Sequence, residues 1–226
     1  MPRVRVVIAG GHGKIGRRLA ALLAGRGDVV IGVVRNPDHI PDLNRAGAEA
    51  VVCDLEATTP DELAVHLVGA DAVVFAAGAG PGSGVARKDT VDRAAAVLLA
   101  EAARRADVRR YLLVSSTGVD DEIPQGTDDV WAAYLQAKRA AEESVRAFED
   151  LDWTVLRPGR LTDDPGTGRV LLSAPPVERG DVTRDDTAAV LAGLLDTPRT
   201  AGLTLELRSG EEDVLAAVTA AASFPR

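Results

Sequence analysis

Two residue patterns in this chain are spaced for chemistry. Tyr134 and Lys138 stand four positions apart, so on a helix both side chains share one face. An ammonium beside a phenol favours the tyrosinate, lowering a pKa that is ordinarily about 10. A tyrosine tuned in this way gives or takes the proton that accompanies hydride transfer at a carbonyl or alcohol carbon. With two tyrosines and three lysines in 226 residues, the pairing is seldom met by accident. Ser116, just past a Val-rich run, is placed to hydrogen-bond the same substrate oxygen. The bland alternative makes Tyr134 a core residue and Lys138 a solvated charge.

The second pattern is Gly10-Gly11-His12-Gly13-Lys14-Ile15-Gly16, which follows the first apolar run and opens the first helical segment. Gly10 permits a tight turn, Gly13 lets the backbone approach a pyrophosphate, and Gly16 lets the helix pack closely on the strand. The helix N-terminus then offers free N–H groups and partial positive charge to phosphates. A dinucleotide fingerprint expects an acid about 20 residues further on to hold the ribose 2′-hydroxyl. Arg35 stands there instead, 19 residues past Gly16. A guanidinium fork suits a 2′-phosphate, so NADP is expected ahead of NAD.

The elements that must position these residues alternate from the start. Val-rich runs lie at 4–9, 29–34, 50–53, 72–76, 111–115 and 154–156, and Ala/Leu/Arg segments of helical spacing separate them. Strands alternating with helices predict an α/β fold built on a doubly wound parallel sheet. Residues 1–160 form that core. Residues 161–226 are too short for a core of their own and are expected to pack, within the same domain, over the strand ends and shape a substrate cleft.

Composition excludes several classes. The 26 Lys and Arg against 34 Asp and Glu give a net charge of −8, which disfavours nucleic-acid or anionic-membrane partners. One cysteine, Cys53, forbids an internal disulfide, and His12, His39 and His66 have no metal-ligand spacing. Met1-Pro2-Arg3 runs into Val4–Ala9 without the apolar region of a signal peptide, so a cytoplasmic protein is expected. Gly80-Pro81-Gly82-Ser83-Gly84 reads as a loop beside the cofactor, with Arg87 and Lys88 after it as solvated charges that have a phosphate in reach.

The landmarks Gly10–Gly16, Cys53-Asp54-Leu55, Ala76-Ala77-Gly78, Ser115-Ser116, Tyr134 to Lys138, Leu156-Arg157-Pro158-Gly159 and Asp185-Asp186-Thr187-Ala188 resemble the short-chain dehydrogenase/reductase superfamily. The likeness is to its atypical branch of compact NAD(P)-binding Rossmann proteins and runs nearly the whole chain. It implies that Asp54 and Leu55 edge the adenine, that Ala76, Ala77 and Gly78 line the adenosine ribose, and that Pro158 and Gly159 border the nicotinamide. Lys138 would also bind the nicotinamide ribose, and Ser115 would belong to the cofactor site. Asp92 stands where many members carry asparagine; it either holds the Lys138 ammonium or a bridging water, or is an exposed acid at a helix start. The implied activity is NADP-dependent oxidoreduction or epimerisation of a small carbonyl or alcohol compound. An NAD(P)-sensing regulator and an NADPH-dependent flavin or quinone reductase are the alternatives. Neither substrate nor oligomeric state is legible.

Overall fold

Each Val-rich run is a strand and each Ala/Leu/Arg segment a helix in the computed structural model, which describes residues 3–80 and 82–225. The first half comprises β1 (Arg5–Ala9), α1 (Lys14–Gly25), β2 (Val29–Val34), α2 (Ile40–Arg45), β3 (Glu49–Val52), α3 (Pro60–Val65) and β4 (Ala72–Phe75). A broken helix follows, made of α4 (Val85–Arg87), a π-helical segment Lys88–Ala94 and α5 (Ala95–Arg105). Then come β5 (Arg110–Val114), α6 (Asp129–Arg146), β6 (Asp152–Pro158), β7 (Arg160–Thr162), β8 (Arg169–Ser173) and β9 (Asp181–Thr183). The chain closes with α7 (Arg184–Leu195), β10 (Leu203–Ser209), β11 (Glu212–Asp213) and α8 (Val214–Ala221).

Among the described residues the central sheet has nine strands. Strands β3-β2-β1-β4-β5-β6-β10 run parallel in that spatial order, and β8 and β11 add an antiparallel edge beyond β10. The order reverses at β1, which has β2 on one side and β4 on the other. Crevices at such reversals, at the carboxyl ends of the strands, are where doubly wound sheets take ligands.

Alternate side chains of β1 feed two apolar layers. Val6 and Ile8 pack with Leu19 and Leu23 of α1 and Leu191 and Leu194 of α7. Val7 and Ala9 pack with Leu63, Leu99 and Ala141 on the opposite face. Covered on both sides, these strands are continuous apolar runs, and the many alanines let the helices sit close.

Residues after 160 are divided between two places. Strand β10 lies in the central sheet beside β6, α7 packs on α1, and β7 with β9 forms a separate two-stranded parallel sheet just past the end of β6.

One buried ionic cluster ties β6 to α6. Arg157, only 2% exposed, donates to Glu142 at 2.7 Å and to Asp120 at 2.5 and 3.0 Å, and Ser115 donates to Glu142 at 2.5 Å. Burial alone would lower the guanidinium pKa, but the hydrogen bonds to Glu142 and Asp120 outweigh it and hold Arg157 above its ordinary value. Removing one partner of a buried pair strands the other charge. Glu142→Gln is therefore expected to cost about 3 kcal/mol in urea unfolding. An unchanged midpoint would show that Asp120 and Glu206, 3.7 Å away, satisfy the arginine without Glu142.

Candidate active site

The glycine loop leaves β1 and enters α1 with no room for side chains. Gly10 has φ +82°, and a Cβ there would lie 2.6 Å from the Ala77 backbone. A Cβ on Gly16 would lie 2.4 Å from the Gly10 carbonyl oxygen, so this glycine sets the distance between helix and loop. Gly11 donates to the Val33 carbonyl at 3.1 Å, pinning the loop to β2. Helices α3, α6 and α7 are closed by Thr59, Asp128 and Thr183, whereas α1 has Gly13 at its N-cap and no capping side chain. Its first N–H groups stay available to an anion.

Beside this loop lies a cavity of about 520 Å³ at the ends of β1, β2 and β4, bordered by Gly10, Gly13, Arg35, Asp54, Leu55, Ala77 and Gly78. Gly10, Gly13, Ala77 and Gly78 present little but backbone there, leaving a space that could hold an adenosine and its phosphates. Arg35 is 56% exposed and meets Glu56 at 3.1 Å; Arg87 reaches the same carboxylate at 2.6 Å, and Thr90 donates to it at 2.6 Å. The hydrogen bonds from Arg87 and Thr90 hold the Glu56 carboxyl below its ordinary pKa.

A second cavity, about 540 Å³, opens at the ends of β5 and β6 and is bordered by Ser115, Ser116, Trp131, Tyr134, Pro158 and Gly159, with Arg160, Arg179 and Asp181 from the segment after β6. Gly159 is sterically required, because a Cβ there would lie 2.0 Å from the Gly180 carbonyl oxygen. The two tyrosines have different fates. Tyr111 is wholly buried, donates to the Ala96 carbonyl at 2.8 Å, and has its phenol pKa pushed up by burial. Tyr134 lines the cavity, stacked on Trp131 at 5.1 Å, and its hydroxyl has no hydrogen-bond partner among the described residues. Lys138, 4% exposed, places its ammonium 5.9 Å from the Tyr134 ring centroid. That ammonium donates to the Val114 carbonyl at 3.0 Å and lies 3.5 Å from Asp92. Asp92 is 1% exposed and also accepts from the Ala79 N–H at 3.2 Å, so it is no exposed helix-start acid.

Other expected site residues are turned elsewhere. His12 bonds Asp42 at 2.8 Å and stacks on His39, although both rings still edge the first cavity. Lys14 is ion-paired with Asp163, and the Ile15 side chain lies in the core. Ala76 donates to the Ala9 carbonyl at 2.9 Å, continuing the β1–β4 pairing one step before the cavity wall begins at Ala77. The Ser115 hydroxyl serves Glu142, and that of Ser116 donates to the Thr117 carbonyl at 3.1 Å. Glu56, Lys88 and Trp131 were not singled out by their spacing as site residues. None of the three has a partner at a local interval that marks it in the sequence. Within the loop 80–84, Pro81 lies outside the described residues.

Residues 10–198 match the NAD(P)H-binding family, and the chain belongs to it. It is similar to a Bacillus subtilis protein named as the uncharacterized sugar epimerase YhfK, with 33% identity over 216 residues covering 95% of this chain and 99% of that one. A Bacillus halodurans structure, provisionally named as an NAD-dependent epimerase/dehydratase, matches with a TM-score of 0.88 and 33% identity, covering 96% of this chain and 99% of the other. The Lactococcus lactis oxidoreductase ylbE matches with a TM-score of 0.84 and 27% identity, each chain covered to 96%. The expected NAD(P)-binding Rossmann architecture is thus met in both family and fold.

Gly13 separates binding from folding better than Gly10, Gly11 and Gly16, because a Cβ there lies no nearer than 3.0 Å to the Gly10 carbonyl oxygen and 3.6 Å to that of Ala76. Gly13→Ala is expected to keep the wild-type far-UV circular dichroism and to weaken NADPH binding at least tenfold by calorimetry, since the added methyl points at the backbone that a pyrophosphate approaches. Normal binding by a folded variant would remove the phosphate from this loop.

Proposed function

We propose that the protein is an NADP-dependent oxidoreductase, or a redox-driven epimerase, acting on a small carbonyl or alcohol compound with Tyr134 as acid/base. The observation that carries this reading is the placement of Tyr134: it borders a cavity together with Pro158 and Gly159, its hydroxyl has no hydrogen-bond partner among the described residues, and the buried ammonium of Lys138 lies 5.9 Å from its ring centroid. The nicotinamide would supply or accept the hydride. Tyr134 would deliver or remove the proton at the substrate oxygen, and Ser116 would turn from the Thr117 carbonyl to orient that oxygen. Lys138 would hold the nicotinamide ribose while keeping its Val114 and Asp92 contacts. The YhfK name is consistent with the epimerase form, in which the same tyrosine serves both half-reactions.

Tyr134→Phe removes only the phenolic oxygen. It is expected to slow single-turnover NADPH oxidation by roughly 10²–10⁴-fold, with cofactor affinity nearly unchanged. The half-exposed Trp131 stacked on Tyr134 favours one second reading, a planar acceptor such as a flavin lying on an aromatic wall. Hydride passing directly to such a ring would make Tyr134→Phe almost silent. In a non-catalytic sensor the substitution would alter affinity or partner choice and have no turnover to abolish.

Arg35 supports the NADP preference, and Arg87 joins it on the same carboxylate. A 2′-phosphate would compete with Glu56 for these two guanidinium groups. A charge-assisted pair contributes about 1.5–3 kcal/mol, so NADPH should bind roughly ten- to a hundredfold more tightly than NADH. Calorimetry should show Arg35→Ala erasing that difference and Glu56→Gln widening it. Equal affinities in the wild type would reverse the assignment.

A further inference from the structure

The three lysines of this chain have unequal surroundings. Lys14 is more than half exposed and paired with Asp163. Lys138 is buried with a carbonyl and a carboxylate beside it. Lys88 is buried too, at 8% exposure, yet its ammonium makes one hydrogen bond, to the Gly80 carbonyl at 3.2 Å. Among the described residues no carboxylate oxygen approaches it within 4.0 Å. Its charged neighbours are engaged: Arg87 with Glu56, Asp89 with Arg93, and Asp92 with Lys138.

An ammonium has three N–H donors, and a buried charge ordinarily has a counter-charge. Among the described residues Lys88 uses one donor and meets no counter-charge. It also lies beside the tyrosine, with its Nζ 5.5 Å from the Tyr134 ring centroid, where Lys138 stands at 5.9 Å. The π-helical segment that begins at Lys88 buries both Lys88 and Asp92, and such segments recur at functional positions. Two ammonium groups thus stand within 6 Å of the tyrosine ring centroid, and the buried carboxylate of Asp92 pairs with the Lys138 ammonium.

We propose that Lys88 is an anion-binding residue of the cleft, taking an anionic oxygen from a ligand that lies against Tyr134. The inference rests on the reading of the Tyr134 cavity as the substrate site. The anion is a carboxylate of the substrate or an oxygen of the cofactor diphosphate; both present the same chemistry to the ammonium. A substrate carboxylate would place the reacting carbon one anchored contact away from Tyr134 and restrict turnover to acidic carbonyl or alcohol compounds.

The test titrates the full-length wild type, Lys88→Met and Lys88→Arg with benzoate and with benzamide at saturating NADP⁺, and separately with NADP⁺, by calorimetry. With a substrate carboxylate, benzoate binds the wild type and Lys88→Arg, binds Lys88→Met at least tenfold more weakly, and benzamide does not distinguish the three. With the cofactor as the source, NADP⁺ itself loses at least tenfold in Lys88→Met and recovers in Lys88→Arg. If benzoate and NADP⁺ both bind Lys88→Met as they bind the wild type, the ammonium is only a tether for Gly80 and the proposal fails.

Far-UV circular dichroism guards against misfolding of the methionine variant. A Lys88→Met protein that has the wild-type spectrum and binds benzoate and NADP⁺ as the wild type does overturns the proposal. Benzoate binding that survives in Tyr134→Phe would separate the anion site from the acid/base role, so failure of one reading does not conceal the other.

Discussion

The ammonium of Lys138 is sealed where three elements meet, and the site is organised around that burial. Its carbonyl partner belongs to Val114 at the end of β5, its own backbone to α6, and its carboxylate partner to Asp92 on the π-helical segment. Asp92 in turn accepts from Ala79, and a Cβ on Gly78 would lie 3.1 Å from the same carboxylate. One charged contact thus locks the wall of the first cavity, the exit of β5 and the helix carrying Tyr134 in a common register. Buried pairs of this kind add little net stability, because desolvation offsets most of the attraction. The return here is in position.

The strand order complements that lock. Reversal at β1 opens a crevice between the β2 and β4 sides, and glycines at 10, 11 and 16 bring backbone against backbone so that the uncapped end of α1 faces it. The two cavities lie at the carboxyl ends of neighbouring strands, one edged by Arg35 and Asp54 and the other by Tyr134 and Pro158.

Much of this was legible in the residues, for a physical reason. Parallel strands covered on both faces must be unbroken apolar runs, so β1, β2, β4 and β5 announce themselves, and the glycine spacing is dictated by contacts that admit no Cβ. The pairing of β10 with β6 and the antiparallel edge of β8 were not legible, because such long-range neighbours leave no local periodicity. Glu56 was invisible for the same cause: its arginines stand 21 and 31 residues away. Lys88 was read with Arg87 as a solvated charge that has a phosphate in reach, and its burial shows only in the structure, where it opens the π-helical segment. His12 and Lys14 sit within the glycine motif, and nothing local in the sequence shows that they pair with Asp42 and Asp163.

The central claim is that a single cofactor runs from Arg35 to Tyr134 across the end of α1. A crystal structure of the NADP⁺ complex tests it most directly. The account requires the adenosine between Arg35 and Asp54, the diphosphate on the backbone at Gly13, and the nicotinamide in the cavity of Pro158 and Gly159. Its C4 should then leave a gap beside Tyr134 in which a substrate carbon sits about 3–3.5 Å from it. A nicotinamide ring lying anywhere else, or a dinucleotide bound in the opposite direction, would contradict the account.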